Sequence, residues 1–304
     1  MNSLIEQAAQ RLEQLRQAGV DMPQTPPTAP KVENDSHRKP AVDKRPVVSS
    51  QSVHIDLEAV SASGIVNPNA PRSQIADQFR VIKRTLIRNV EGKGASVIGN
   101  ANLIMVTSAM PGEGKTFTAI KLAMSMAAEL DYTVMLVDAD VARPSVMRVL
   151  GLAAGPGLLD LVLDETKELS DMLLRTNIDT LTILPSGTQH ARATELLASE
   201  AMTRLVNDMA TRYADRIIIF DSPPLLLATE SRVLASHMGQ VVVVVQAEKT
   251  LQSDVRQALA TIETCPLKLM LLNKARTISK GGADYEYGYG YGYGSDQQEA
   301  PQAS

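Results

Sequence analysis

The sequence predicts an α/β fold in which a mostly parallel β-sheet is covered by helices on both faces. Short apolar segments alternate along the chain with longer segments whose apolar residues recur at helical spacing. The short segments lack apolar/polar alternation, which is typical of strands buried on both faces. Such sheets bind ligands at the carboxyl ends of their strands. The predicted strands are 103–106, 133–138, 181–184, 216–221, 240–246 and 267–272, and the predicted helices are 115–130, 192–212, 229–237 and 251–263.

Composition and charge fit an α/β protein with a packed core and argue against nucleic-acid-binding, disulfide-bonded and membrane-spanning proteins. The 304 residues are 44% hydrophobic, which is enough for a sizeable core. A net charge of −4 argues against an intrinsic nucleic-acid-binding surface. The single cysteine, Cys265, allows no internal disulfide and fits a reducing compartment. We find no secretory signal and no apolar run near the ~18 residues of a membrane span. We therefore expect a cytoplasmic protein that reaches any membrane through a partner.

The two ends of the chain differ in composition from its middle. Residues 1–20 predict an amphipathic helix, which either docks on a partner or frays as a terminal helix. Residues 21–70 are rich in proline and polar residues and predict a disordered linker. The sequence therefore predicts a folded domain over 71–280 and a flexible tail over 281–304.

The first helix of the predicted domain follows Ser73, which can cap it. Apolar residues recur along this helix at spacings of three and four, and its other face is charged. A charged face is usually solvated, but it could also form a contact between subunits. The apolar residues are Ile75, Phe79, Ile82 and Leu86, and the charged residues are Asp77, Arg80, Lys83, Arg84 and Arg88.

A phosphate-binding loop joins the first predicted strand to the next helix. Its sequence fits G-x-x-x-x-G-K-[ST], with Ala109 in the first glycine position. Backbone N–H groups converge on a phosphate only where few side chains block them, and the helix dipole favours the same anion. Lys115 would hold the β and γ phosphates of ATP, and the Thr116 hydroxyl would bind Mg²⁺. The alternative is a chance Gly-Lys-Thr in a turn. The predicted ATP-binding residues of this loop are Ala109, Met110, Pro111, Gly112, Glu113, Gly114, Lys115, Thr116 and Phe117.

Aspartates end two of the predicted strands. Asp221 would bind a nucleotide-associated Mg²⁺, which needs only one or two carboxylates. Asp138 and Asp140 could place one carboxylate at the metal and the other at the attacking hydroxyl, although such aspartates also cap helices and turns. Phosphoryl transfer requires positioning, charge neutralisation and a base. The predicted catalytic residues are Lys115, Asp138, Asp140 and Asp221, and the predicted metal ligands are Thr116, Asp138 and Asp221.

The tail contains the sequence DYEYGYGYGYG at 284–294. Alternating tyrosine and glycine cannot form a core helix. If the tyrosines accept phosphate, each phosphate adds about −1.5 to −2 charge to an already acidic segment. The alternative is a low-complexity aromatic tract used for weak association. The candidate acceptors are Tyr285, Tyr287, Tyr289, Tyr291 and Tyr293.

Three motifs, with the tyrosine cluster, resemble the bacterial tyrosine kinases of capsule and polysaccharide export systems: SAMPGEGKT at 108–116, VMLVDADVARPS at 134–145 and IIIFDSPP at 217–224. The resemblance implies a P-loop NTPase fold, ATP with Mg²⁺, and autophosphorylation of tail tyrosines between subunits of a homo-oligomeric ring. It also implies regulation of exopolysaccharide biosynthesis and chain length, and a phosphotyrosine phosphatase as a partner.

The ring-forming motif of that family, E-x-x-R-x-x-R, is altered here. Asp77 replaces the glutamate and Lys83 replaces the last arginine, which weakens the contact. Arg80 is retained, and Arg84 could compensate. By resemblance, the oligomer interface would then consist of Asp77, Arg80, Lys83 and Arg84.

The chain looks most like the exosortase-associated tyrosine autokinases. That resemblance implies a separate membrane-bound chain-length determinant as activator, which would recruit the kinase to the inner face of the membrane. Asn273 matches the position that reads adenine in related ATPases, and a structural turn asparagine is the alternative.

Two other functions compete with a kinase. A ParA/MinD-like ATPase would use nucleotide to switch dimerisation, but its loop carries an extra lysine where this chain has Ala109-Met110-Pro111. It also gives no role to the tail tyrosines. A regulatory scaffold with an inactive nucleotide site is the third hypothesis. The residues that argue against it are the intact Lys115, Thr116, Asp138 and Asp221.

Overall fold

A computed structural model describes residues 51–65 and 73–275. Seven strands form one sheet: β1 (Leu103–Ser108), β2 (Thr133–Asp138), β3 (Leu174–Arg175), β4 (Leu181–Leu184), β5 (Arg216–Asp221), β6 (Gln240–Gln246) and β7 (Leu267–Asn273). Their order across the sheet is β3-β4-β2-β5-β1-β6-β7. Every neighbouring pair is parallel except β3 and β4. The predicted mostly parallel sheet is thus confirmed.

Ten helices belong to the described part of the chain: α1 (Leu57–Ala62), α2 (Gln74–Val90), α3 (Lys115–Ala127), α4 (Val146–Val149), α5 (Leu158–Leu163), α6 (Leu169–Met172), α7 (Ala193–Leu197), α8 (Glu200–Arg212), α9 (Thr229–Ser236) and α10 (Gln252–Ala260). Over these described ranges, no helix combines the length and the apolar character needed to cross a lipid bilayer.

Two hydrophobic clusters cover the two faces of the sheet. Successive strand residues point to opposite faces, so Met105 packs with α5–α10 while Ile104 packs with α1–α4. Strand β1 is buried along its whole length, and β2 and β5 are buried except at their first residues. Because the central strands are buried on both faces, their sequences are continuous apolar runs.

The segment predicted as one helix over 192–212 forms two helices, α7 and α8. The break lies at Ala198 and Ser199, where the Ser199 hydroxyl accepts a hydrogen bond from the Met202 N–H at 3.2 Å. Ser199 is therefore the N-cap of α8. The continuous helical spacing of apolar residues across this point concealed the break.

The linker predicted over 21–70 is too long. Residues 51–65 pack on the folded domain: the Val53 N–H donates to Arg175 O at 2.8 Å, and Ile55 is completely buried. This segment contains no proline, and the linker prediction overlooked the apolar residues Val53, Ile55 and Val60 among its polar ones. The remainder of that linker, the predicted helix over 1–20 and the tail over 281–304 lie outside the described residues.

Helix α2 begins as predicted, because the Ser73 hydroxyl accepts a hydrogen bond from the Ala76 N–H at 3.1 Å. The interpretation of Lys83 as part of its exposed charged face is wrong. Lys83 is only 6% exposed; its Nζ donates to Ser125 O at 2.5 Å and pairs with Glu129 Oε1 at 2.7 Å. Lys83 fastens α2 to α3 within the same chain, so it is not free to contact a second subunit.

Candidate active site

The carboxyl ends of the central strands open into a cleft of about 920 Å³. Strand β5 lies between β1 and β2, and Asp138 stands in register with Asp221 on adjacent strands. Lys115 and Thr116, which begin α3, line the cleft together with Asp140. The fold therefore brings the residues that the sequence predicted as catalytic to one edge of the sheet.

The loop between β1 and α3 has the backbone that a phosphate cradle needs. Gly112 and Gly114 have φ values of 84° and 99°, which disfavour any residue with a side chain. A Cβ atom at Gly114 would lie 2.2 Å from Asn273 Nδ2, so this close approach also requires glycine. Ala109, in the first glycine position, is fully buried, so its methyl group does not face the cleft.

Lys115 is paired with acidic side chains across the cleft. Its Nζ lies 2.5 Å from Asp140 Oδ2 and 3.6 Å from Asp221 Oδ1. Burial alone lowers the pKa of Lys115, but the charges of Asp221 and Asp140 outweigh it, and the net pKa lies above its ordinary value. The lysine is therefore charged and ready to exchange one anionic partner for another.

Thr116 and the two strand-end aspartates form a buried oxygen-rich group. The Thr116 hydroxyl donates to Asp221 Oδ2 at 2.6 Å, and Ser145 Oγ lies 3.1 Å from it. The second oxygen of Asp138, Oδ2, accepts from the Ser145 and Val146 N–H groups, each at 3.0 Å. Asp138 Oδ1 and Asp221 Oδ1 are buried without a hydrogen-bond partner. Buried carboxylate oxygens that accept no hydrogen bond fit a hard cation such as Mg²⁺.

The raised pKa values of Asp138 and Asp221 also favour a cation site in this group. Burial and the charge of Asp221 raise the pKa of Asp138 to about 7, and burial raises the pKa of Asp221 to about 6. A bound divalent cation would favour the ionised carboxylates. No cluster of three or more His, Cys, Asp or Glu side chains suited to a metal occurs in residues 51–65 and 73–275. Mg²⁺ keeps several waters, so two carboxylates and a hydroxyl are enough protein ligands to hold it.

The remaining predicted ATP-binding residues divide into two groups. Pro111, Phe117 and Asn273 line the cleft. Met110 lies on the exposed side of the loop and donates its N–H to a Glu113 carboxylate oxygen at 2.9 Å. The Asn273 amide Nδ2 donates to Glu113 O at 2.8 Å, so it holds the loop itself; its role in reading adenine stays a prediction.

Sequence reasoning missed the side chains that brace the phosphate loop. Besides its bond to Met110, the Glu113 carboxylate accepts a hydrogen bond from the Thr250 hydroxyl, 137 residues away in the chain. Lys274 Nζ donates to Gly112 O at 2.7 Å. Glu113 is only 3% exposed, and no local sequence pattern predicts that a loop glutamate is buried. These contacts join elements far apart in sequence, so only the fold could reveal them.

Comparison with known proteins agrees with this geometry. A family of AAA domains matches residues 101–275. A tyrosine-protein kinase of Bacillus subtilis, YwqD, is 31% identical over 206 residues, which cover 68% of this chain and 83% of that protein. The tyrosine-protein kinase CpsD of Streptococcus agalactiae is 32% identical over 192 residues, which cover 62% of this chain and 82% of that protein.

Among solved structures, the kinase domain of VpsO is similar in fold and sequence. It superposes with a TM-score of 0.55 at 27% identity, over 66% of this chain and 97% of that one. The family match spans more than half of the chain, and the sequence relatives are matched over most of their length. The chain is thus a member of the bacterial tyrosine-protein kinases, built on a P-loop nucleotide-binding domain.

Proposed function

We propose that this kinase transfers the γ-phosphate of ATP to tyrosines in its own carboxyl-terminal tail. The observation that carries the proposal is the convergence of Lys115, Thr116 and Asp221 on a glycine loop, beside two buried carboxylate oxygens that accept no hydrogen bond. A phosphate cradle with a divalent-cation site suits phosphoryl transfer from a nucleoside triphosphate. The acceptors would be Tyr285, Tyr287, Tyr289, Tyr291 and Tyr293.

In this proposal the loop positions the triphosphate and Lys115 holds its β and γ phosphates. Lys115 must then leave Asp140, to which it is bonded at 2.5 Å in the structure. Asp140 lines the cleft, so once released it can accept the proton of an incoming phenol. The phenol oxygen bonds to the γ-phosphorus, the bond from that phosphorus to the β–γ bridging oxygen breaks, and ADP leaves.

Thr116, Asp138 and Asp221 would hold Mg²⁺, which supplies neutralisation of phosphate charge when bound. Asp138 is fixed by the Ser145 and Val146 N–H groups, so only its Oδ1 is free to face the ion. Asp221 is completely buried, and its Oδ2 accepts a hydrogen bond from the Thr116 hydroxyl, so these two predicted metal ligands lie side by side. Phe117 and Asn273 would contact the nucleotide from the cleft wall.

At the level of the cell, we propose autophosphorylation between subunits of a homo-oligomer that regulates exopolysaccharide biosynthesis and chain length. Support comes from the sequence resemblance to polysaccharide-export kinases. The protein would act in the cytoplasm, with a membrane-bound chain-length determinant as activator and a phosphatase that resets the tail. Because Lys83 is used within the subunit, a subunit contact through α2 would rely on Asp77, Arg80 and Arg84.

The test is the mass of the intact full-length chain after incubation with Mg-ATP. We expect successive gains of one phosphate each, mapped to the tail peptide, and no gain for Lys115→Met. Lys93→Met, which removes an exposed lysine paired with Glu91, is the matched control and should label normally. Replacing all five tail tyrosines by phenylalanine should remove most labelling. Labelling of that variant at the wild-type level, or release of ADP without any mass gain, would contradict the proposal.

A further inference from the structure

A second concave surface adjoins the nucleotide cleft. It has a volume of about 670 Å³ and lies between the 152–156 and 185–189 loops, with Pro144 and Met147 at its base. We call this surface the proline groove. Arg148 lines both the proline groove and the nucleotide cleft, so the two concavities share a wall.

The proline groove is built by backbone contacts that fix its two loops. The Leu158 N–H donates to Pro185 O at 2.8 Å, and Asp160 Oδ2 accepts from the Gly157 and Thr188 N–H groups at 2.8 and 2.9 Å. A Cβ atom at Gly157 would lie 2.0 Å from Pro185 O. The groove is therefore preformed, and a ligand need not order it.

The lining of the groove favours aromatic and acidic ligands. Pro156 is exposed and Pro144 is half-buried, and both present rigid apolar faces of the kind against which phenol rings pack, with the buried Pro185 behind them. Arg148 is the one charged residue of the lining. Arg148 is exposed, and its guanidinium makes no ion pair or hydrogen bond within residues 51–65 and 73–275. A carboxylate that reached the shared wall would therefore find an available partner.

The chain itself contains a segment of matching chemistry. Residues 284–294 carry five tyrosines with Asp284 and Glu286, and no lysine or arginine follows Lys280. Strand β7 ends at Asn273, which lines the nucleotide cleft. The eleven residues from Asn273 to Asp284 can span ~37 Å at about 3.4 Å per residue, which is ample to reach the adjoining groove.

We propose that the proline groove is a docking site for the 284–294 segment during tail phosphorylation, a proposal that rests on the proposed function. In an extended Tyr-Gly repeat all tyrosines point to one side at a spacing of about 6.7 Å. One tyrosine can then enter the nucleotide cleft while the next packs on the prolines across the shared wall. Asp284 and Glu286 alternate with the tyrosines and so face the other side of an extended segment. Arg148 at the shared wall therefore attracts the acidic segment through its positive charge, without a direct ion pair.

A charge change at Gln189 tests the proposal. Gln189 is exposed and lines only the proline groove, so its substitution should leave folding and nucleotide binding intact. In the full-length chain we expect Gln189→Glu to slow the initial rate of tail phosphorylation at least threefold and Gln189→Lys, its matched control, to equal or exceed wild type. Affinity for ATP should be the same in all three. Equal rates for the two variants would overturn the proposal.

Cross-linking tests occupancy directly. In the full-length chain, Gln189→Cys combined with Gly288→Cys should form a disulfide under mild oxidation, whether the tail comes from the same chain or from a second copy. Ser253→Cys with Gly288→Cys is the control, because Ser253 is equally exposed but lies on α10. Cross-linking no faster than this control would overturn the groove assignment. If wild type gained no tail phosphotyrosine at all, the proposed function would fail instead, which keeps the two failures distinct.

Discussion

Glu113 stabilises the phosphate loop through both of its carboxylate oxygens. Oε2 accepts from the Met110 N–H at 2.9 Å, and Oε1 accepts from the Thr250 hydroxyl. The carbonyl of the same residue accepts from Asn273 Nδ2. A loop rich in glycine loses much entropy on ordering, so these bonds keep the cradle formed before nucleotide arrives.

We expect Glu113→Ala to weaken ADP binding about tenfold, because bonds to a charged acceptor contribute about 1.5–3 kcal/mol and part of that cost is recovered on binding. Thr250→Val removes only one of the two side-chain bonds and should weaken binding less. Isothermal titration of ADP with Mg²⁺ measures both. If the Glu113→Ala chain bound ADP like wild type, the hydrogen bonds of the Glu113 side chain would not be needed to keep the phosphate loop formed.

The buried aspartates predict a pH dependence of stability in the metal-free protein. Burial and the neighbouring Asp221 raise the pKa of Asp138 to about 7, while an unfolded carboxyl stays near 3.8. Between these values the folded chain binds more protons than the unfolded chain, so this group makes stability fall as pH rises from about 4 to about 7. Asp138→Asn removes the titrating group.

The melting temperature of the metal-free Asp138→Asn chain should therefore rise relative to wild type between pH 5 and pH 8. Thermal unfolding in the presence of a chelator measures this difference at each pH. Asp164→Asn is the control: this half-exposed carboxyl has its pKa lowered mainly by a hydrogen bond from the Thr166 side chain, so its substitution should not show the same trend. A difference between Asp138→Asn and wild type that is constant with pH would mean that Asp138 remains ionised when buried.

At the residue scale, the sequence predicted those site residues that a short local motif identifies. Lys115 and Thr116 follow a glycine loop, and Asp138 and Asp221 end apolar strands, so spacing alone was enough to select them. Strand order then brings them together at one sheet edge. The Glu113–Thr250 bond joins residues 137 positions apart and has no local signature, so it could not be predicted.

At the scale of elements, α2 shows that a charged residue in a surface pattern can be buried. Asp77 and Arg80 form the exposed ion pair expected of its charged face, with 2.6 Å between Asp77 Oδ1 and Arg80 Nη1. Lys83 has the same helical spacing but crosses to α3, where it bonds Ser125 O. Helical periodicity gives the direction of a side chain, but not whether a second helix covers it.

We expect Lys83→Met to lower the free energy of unfolding by about 1–3 kcal/mol, because it leaves the Ser125 carbonyl without its bonding partner and breaks the pair with Glu129. Arg84→Met, at the exposed neighbouring position, should change it by less than about 0.5 kcal/mol. Urea unfolding monitored by circular dichroism measures both. If both variants unfolded at the wild-type urea concentration, and only Lys83→Met altered the oligomeric state, the original assignment of Lys83 to a subunit contact would be restored.

At the scale of the whole molecule, the sequence predicted most of the strands but not their order in the sheet. Six strands were predicted close to their observed limits, because buried parallel strands are continuous apolar runs. The two-residue β3, which runs antiparallel at the sheet edge, is too short to produce such a run. The segment that pairs with β3 was therefore also missed.

That segment, 51–55, closes the β3 edge of the sheet. Val53 and Gln51 exchange backbone hydrogen bonds with Arg175, and the Asn177 side chain bonds both the N–H and the carbonyl of Ile55. Ile55 is fully buried in the cluster that contains α1–α4. An edge strand paired in this way cannot recruit a strand from another chain.

We expect Ile55→Ala to lower the free energy of unfolding by about 2–5 kcal/mol, because it opens a cavity in a packed core. His54→Ala, at the adjacent exposed position, is the matched control and should unfold like wild type. Asn177→Ala should also destabilise the chain, since it leaves two backbone groups of Ile55 without their side-chain partner. Urea unfolding of the three full-length variants measures these effects. If Ile55→Ala and His54→Ala unfolded alike, the 51–55 segment would not belong to the cooperative domain, and the domain would begin near residue 71 as the sequence alone predicted.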